Sequence, residues 1–217
     1  MIKLLRTILC IGVFSLGLLS TANANLEARA GGMVYDDVLD ITWLADANYA
    51  QTSGYDNDGL MDFSAANTWA AGLSYGGYDD WRLPTALNQD GSGPCYGYDC
   101  TSSEMGYMFY NNMGASALNS ILLGANTANL ALFTNLQSFV YWSGTVHAPN
   151  PANNAWVFNT SFGYQTLGCN QCGEFYAWAV RGDVAAIPEP ETYAMLLAGL
   201  GLLGGVAKWR RRCFGAS

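Results

Sequence analysis

Positive charge is what the middle of this chain lacks most. Between residues 25 and 187 there is no lysine, and the only basic side chains are Arg29, Arg82 and Arg181. Fifteen acids share that stretch with the three arginines, so its formal charge is −12, against −8 for the whole chain. Such a surface repels phosphate backbones and anionic lipid headgroups. The sequence therefore argues against nucleic acid as a partner and favours neutral glycans or cations.

The familiar catalytic patterns are missing as well. No G-x-S-x-G, H-E-x-x-H or P-loop pattern occurs, and the one histidine, His147, has no second histidine to form a metal pair. We therefore expect a protein that is not an enzyme and has no cofactor. The alternatives are an enzyme that acts on extracellular carbohydrate with two carboxylates as acid and base, and a purely structural matrix component with no specific ligand. The acids are abundant, but no pair is distinguished by its spacing.

The first 24 residues have the pattern of a secretory signal peptide. Lys3 and Arg6 precede an apolar run over residues 7–19, and small residues follow. We expect cleavage directly after residue 24. The predicted cleavage site consists of Ala22, Ala24 and Asn25.

Cysteines are few and come in two pairs in the middle of the chain. An even number in an exported chain favours disulfides, and four cysteines allow three connectivities. We favour the local pairing, in which each bond closes a glycine-rich loop. The alternative is a zinc site built from all four thiolates. The four residues are Cys95, Cys100, Cys169 and Cys172.

The hydropathy pattern predicts an α+β fold, with helices early and strands late. Residues 31–44 read as strand, turn, strand, and residues 62–73 as a helix capped by Asp62. A second helix is predicted from Thr101, which would form a capping box with Glu104. Three aromatic, β-branched segments after residue 139 are typical of strands. The tryptophans and the methionines of the second helix are expected in the core.

Two separated signatures carry a resemblance to a known family. The segments "YDDWRLPT" (residues 78–85) and "YWSGT…AWVFNTSFGY…YAWAVRG" (residues 141–182) resemble the Lcl C-terminal domain family. The likeness covers most of residues 32–182. The resemblance implies a single C-type lectin-like domain over residues 25–186, with adhesion or carbohydrate binding as its role.

The tail carries a second resemblance. Pro188-Glu189-Pro190 precedes an uncharged run over residues 192–207. As a helix, that run would extend about 24 Å at ~1.5 Å per residue, slightly short of a hydrocarbon core of about 30 Å. An ordinary anchor needs no such tripeptide, and a buried core helix does not fit the cations that follow. Those cations are Lys208, Arg210, Arg211 and Arg212.

The three parts together, over residues 187–213, resemble the PEP-CTERM sorting signal of Gram-negative bacteria. The resemblance implies that exosortase recognises residues 188–190 and processes the tail. It also implies transit through the inner membrane, a final place at the cell surface or in the extracellular matrix, and an association with exopolysaccharide.

Two kinds of ligand site are considered from the residues alone. The loop "DNDG" offers oxygen ligands for calcium at Asp56, Asn57 and Asp58, although the EF-hand spacing is absent and a solvated turn is the alternative. Tyrosines on glycine-rich loops are expected to be exposed and to stack on sugar rings. They are Tyr55, Tyr75, Tyr78, Tyr96 and Tyr98.

Overall fold

The structure, a computed structural model, describes residues 26–182. The predicted signal peptide and the predicted sorting segment, including its proposed membrane span at residues 192–207, lie outside the described residues. Within residues 26–182, no helix has the length and apolar character needed to cross a membrane.

Strands predominate, and over the described residues they form two sheets. The first has the order β1-β2-β3-β9 and the second the order β4-β8-β5-β6-β7. Neighbouring strands are antiparallel except β5 and β8, which are parallel. The strands are β1 (Leu26–Arg29), β2 (Met33–Asp36), β3 (Ile41–Leu44), β4 (Leu60–Met61), β5 (Val140–Val146), β6 (Asn154–Asn159), β7 (Tyr164–Cys169), β8 (Phe175–Tyr176) and β9 (Val180–Gly182).

Short helices fill the long connection between β3 and β5. The longest, α2, begins after Asp62, whose carboxylate accepts the amide of Ala65 at 2.8 Å, so the predicted cap is confirmed. The α-helices are α1 (Tyr49–Thr52), α2 (Phe63–Ala71), α3 (Glu104–Tyr107) and α4 (Thr127–Leu130), with a π-helical turn at Met108–Asn112 and a 3₁₀ turn at Ile121–Leu123.

Tryptophans join the two sheets. Trp43 of β3 lies 4.7 Å from Trp178 between ring centroids, and Trp178 lies 5.9 Å from Tyr141 of β5. The indole N–H of Trp178 donates to the carbonyl of Leu44 at 2.8 Å, which satisfies its polar atom inside the core. The prediction that the tryptophans form the core is confirmed for all six in the described range: Trp43, Trp69, Trp81, Trp142, Trp156 and Trp178.

The predicted start of the second helix is wrong. Ser103, not Thr101, is the N-cap, and its hydroxyl accepts the amide of Gly106 at 3.2 Å. Glu104 does not reach back to complete a capping box, because both of its carboxylate oxygens bind the guanidinium of Arg82 at 2.7 and 2.8 Å. The apolar face is confirmed, since Met105 and the methionines after it are buried.

Candidate ligand-binding surface

A glycine-rich loop over residues 86–103 carries two of the predicted tyrosines. The disulfide between Cys95 and Cys100 closes residues 95–100 of this loop into a ring. A second disulfide, between Cys169 and Cys172, closes the turn after β7. Both bonds are the local pairing that the sequence favoured. With all four sulfurs in disulfides, none of these cysteines is a thiolate ligand for zinc in this structure.

The loop is fixed to β7 by one buried glutamine. Gln165 is 1% exposed, and its side-chain N–H groups donate to the carbonyls of Ala86 at 3.1 Å and Cys95 at 2.7 Å. The backbones of Gln165 and Gly97 also exchange two hydrogen bonds of 2.9 Å each. These four bonds hold the loop as an extra edge on the second sheet.

A tyrosine hydroxyl fastens the tip of the loop. The hydroxyl of Tyr110, in the π-helical turn, donates to the carbonyl of Gly163 at 2.6 Å and accepts the amide of Asp99 at 3.0 Å. The tip is therefore tied both to the turn before β7 and to the helical segment. An anchored loop can present side chains to a ligand with little loss of conformational entropy.

Three tyrosines gather where the loop meets β7, and we call them the tyrosine cluster: Tyr96, Tyr98 and Tyr164. The rings of Tyr96 and Tyr164 lie 5.8 Å apart and those of Tyr98 and Tyr164 lie 4.6 Å apart, each pair edge to face. Tyr96 also contacts the buried Trp156 at 6.1 Å. With 61% of Tyr96 and 42% of Tyr98 exposed, the cluster is an aromatic surface open to solvent.

Hydroxyl groups within the cluster interact as well. Hydrogen bonds from Thr166 and then Tyr164 lower the pKa of Tyr96, while the hydrogen bond to Tyr96 raises the pKa of Tyr164. The cluster thus combines ring faces with phenolic hydroxyl groups that can donate and accept hydrogen bonds. This is the chemistry that recognises a sugar, whose C–H face stacks on a ring while its hydroxyls form hydrogen bonds.

The other predicted tyrosines lie elsewhere and do not form a common site. Tyr55 is 54% exposed and lines a separate cleft beside α2. Tyr78 is exposed, but the guanidinium of Arg181 lies over its ring at 3.7 Å. Tyr75 is only half-buried rather than exposed, because its ring packs against Tyr49 at 4.8 Å.

Sequence reasoning did not select Tyr164 or Gln165. Tyr164 stands at the start of a strand, and its role depends on a loop that begins at residue 86, far earlier in the chain. Gln165 lies in an alternating strand pattern, where a buried amide cannot be told from a solvent-facing one. The glycines that flank "CYGYDC" were the available signal, and they indicated the loop but not its neighbour.

The proposed calcium loop has the geometry of a turn that satisfies itself. The carboxylate of Asp56 accepts the amides of Asp58 at 3.1 Å and Gly59 at 2.7 Å. The carboxylate of Asp58 in turn accepts the amide of Leu60 at 3.0 Å, and the carbonyl of Asn57 accepts Gln51. No group of three or more histidine, cysteine or acidic side chains suited to a metal occurs in residues 26–182. The loop thus consists of Asx turns, and calcium binding at Asp56, Asn57 and Asp58 stays a prediction.

Both arginines of the family signatures form ion pairs. Arg82 binds Glu104 through both carboxylate oxygens, and Glu104 also lines a cleft of about 450 Å³ together with residues of the loop. Arg181 is almost fully buried and binds the exposed Asp80 at 2.7 and 3.1 Å. The arginine lowers the pKa of Asp80. The two ion pairs fix loops to the sheets.

Comparison with known families agrees with this architecture. Residues 32–181 match the model of the Lcl C-terminal domain. The chain belongs to the Lcl C-terminal domain family. Residues 186–212 match the PEP-CTERM protein-sorting motif. Comparisons with curated proteins and with solved structures gave no match.

The two matches lie close to each other along the chain. The Lcl C-terminal domain match ends at residue 181, and the sorting-motif match begins at residue 186. The motif implies that exosortase processes the protein and that the protein is exported through the membrane of a Gram-negative bacterium.

Proposed function

We propose that this exported Lcl C-terminal domain is a non-enzymatic component of the cell surface or extracellular matrix that binds a neutral polysaccharide through the tyrosine cluster. The observation that carries the proposal is the edge-to-face packing of the exposed Tyr96 and Tyr98, on an anchored loop, against Tyr164 of β7. We also propose that the two-sheet α+β domain is C-type lectin-like, as the resemblance to the family implies.

Charge selects the class of polysaccharide. The three arginines of the domain are engaged with protein groups, Arg29 lying over Tyr35 at 3.8 Å and the other two in ion pairs. Acids outnumber them heavily, so a polymer of uronic acids or sulfated sugars meets repulsion. A neutral polymer meets none, and its sugar rings can stack on tyrosines.

The sorting motif favours the exopolysaccharide of the producing cell as that neutral ligand. An exosortase substrate is released into the space where secreted polysaccharide accumulates, so a weak site on each molecule is sufficient when the polymer repeats the same unit many times. We propose the surface or matrix as the final location for this reason.

Affinity electrophoresis of the exported protein tests the proposal. The gel contains either the neutral exopolysaccharide of the producing bacterium or a polyuronate. We expect retardation only by the neutral polymer, and a 2- to 10-fold (roughly) weaker binding for Tyr96→Ala and for Tyr98→Ala, because one aromatic contact contributes about 0.5–1.5 kcal/mol.

Tyr55→Ala is the matched control, since it removes an equally exposed tyrosine from a distant cleft. Unchanged retardation of the Tyr96 and Tyr98 variants would overturn the assignment of the cluster. Release of reducing ends from the neutral polymer would contradict the non-enzymatic role.

A further inference from the structure

Five large apolar side chains outside the tyrosine cluster are exposed on neighbouring segments, and we call them the apolar patch. Their exposed fractions run from 45% to 73%. An exposed leucine or phenylalanine side chain has no favourable interaction with water. A contiguous group of such side chains marks an interaction site. The patch consists of Leu118, Leu122, Leu123, Phe139 and Phe162.

Backbone hydrogen bonds place the three segments of the patch side by side. The amide of Leu118 donates to the carbonyl of Phe162 at 2.8 Å. The amide of Ile121 donates to the carbonyl of Thr160, and the amide of Thr160 donates to the carbonyl of Phe139, both at 2.8 Å. The three segments that carry the five side chains are therefore neighbours in the fold.

One member of the patch has an unfavourable backbone conformation. Leu118 has a φ of +68°, in the left-handed region that glycine and asparagine adopt readily and that leucine avoids. It is also 68% exposed, so neither burial nor local geometry accounts for a leucine at this position. An outlier of this kind points to a function of the side chain in contact with something else.

The patch lies in a part of the chain that has no acidic or basic side chain. Residues 105–173 contain no Asp, Glu, Lys or Arg, although acids are frequent before and after that range. A basic partner would be drawn to the acidic remainder of the domain, not to this segment. A second acidic molecule is repelled by that remainder and can approach closely only where charge is absent.

We propose that the apolar patch is the surface through which two copies of this chain associate. A second copy of the chain carries the same apolar side chains, which can pack against the patch. It also carries the same acidic charge elsewhere, so it can approach closely only at the uncharged segment. A two-fold contact of this kind pairs the same surface on both subunits. This inference is independent of polysaccharide binding.

Photo-crosslinking in the producing bacterium tests the pairing on the full chain. Two versions with different epitope tags are co-expressed, each with a photoreactive phenylalanine at position 122. We expect a crosslinked species that carries both tags. The same probe at position 38, an exposed valine outside the patch, should give no such species.

Leu118→Asn supplies the decisive variant. Asparagine adopts the left-handed region more readily than leucine, so the variant should fold with the same far-ultraviolet spectrum and the same cooperative unfolding in urea. It should lose most of the doubly tagged species. Leu123→Asp, which places two acids face to face, should lose it as well, while Val38→Asp should not.

Salt distinguishes this pairing from an ionic one. Since the two copies repel each other outside the patch, higher ionic strength should increase the doubly tagged species. The proposal is overturned if crosslinks join the chain only to other molecules, or if the folded Leu118→Asn variant gives as much doubly tagged species as the parent. It is also overturned if higher ionic strength reduces the amount of that species.

Discussion

Asp36 shows at the scale of a single residue how the core tolerates an ionisable group. Its side chain is fully buried, and it accepts the amides of Val38 at 3.1 Å and Leu39 at 3.0 Å and the side-chain N–H of Asn112 at 2.6 Å. Burial nevertheless raises the pKa of Asp36 above its ordinary value of 3.8. The side-chain oxygen of Asn112 is buried without a hydrogen-bond partner. The contact between Asp36 and Asn112 therefore contains one acceptor that no donor satisfies.

Replacing this acid by its amide should therefore stabilise the protein at neutral pH. In the unfolded chain Asp36 ionises near 3.8, and in the folded chain it ionises at a higher pH. Between those two values the folded state holds the extra proton, so the free energy of unfolding falls as the pH rises through the native pKa. Asp36→Asn cannot ionise and escapes that loss.

We expect urea denaturation to show that Asp36→Asn gains stability relative to the parent on going from pH 4 to pH 7. The amide can also donate to the unpartnered oxygen of Asn112 once that side chain turns over. Asp79→Asn, which removes the same charge from an exposed position, is the control and should show no such gain. An equal response of both variants would mean that net charge, not burial, sets the effect.

At the scale of elements, capping decides where the helical segment after the loop begins. Ser103→Ala removes a buried hydroxyl that caps α3, and we expect a loss of about 1 kcal/mol in the free energy of unfolding. Thr101→Ala removes an exposed hydroxyl two residues earlier and should leave stability unchanged. Chemical denaturation of both variants measures the difference, and equal losses would contradict the assignment of the cap.

The same comparison shows how far the sequence determines the elements. Asp62 was predictable because a polar cap stands directly before an apolar periodicity. The segment "TSSE" offers three hydroxyls in a row before the acid, and the pattern does not distinguish them. A tertiary contact determines that Ser103 is the N-cap, because Glu104 is bound by an arginine 22 residues away in the chain.

Strand prediction succeeded where burial was strong and failed where it was weak. The late strands were predictable, since β5 and β6 each contain consecutive buried residues. The four-residue β1 was not predicted, because it is mostly exposed and exists through its pairing with β2. The tyrosine cluster was half predictable for a similar reason, since composition locates a loop but not the strand against which it packs.

At the scale of the whole molecule, the sorting motif determines the fate of the chain. Glu189→Ala changes the central residue of the tripeptide within the matched segment. We expect the full-length form to accumulate in the inner membrane, because exosortase no longer recognises the tail. Immunoblots of membrane and released fractions measure the ratio of full-length to processed protein.

Glu191→Ala is the control for this variant, since it removes the next acid along the chain but leaves Pro188-Glu189-Pro190 intact. It should mature normally. Normal maturation of Glu189→Ala as well would show that the tripeptide is not the element that exosortase reads.

The position of β9 has a mechanical consequence. It is the last described strand, and a pull applied to the chain beyond residue 182 enters the domain there. Val180 exchanges two hydrogen bonds of 2.8 Å with Arg82, and β9 also pairs with β3. Arg181 adds its clamp on Asp80 and Tyr78. A force on the chain beyond residue 182 is thus distributed over the hydrogen bonds to β3 and to the "WRLPT" segment. These bonds must break before the force reaches the tryptophan core.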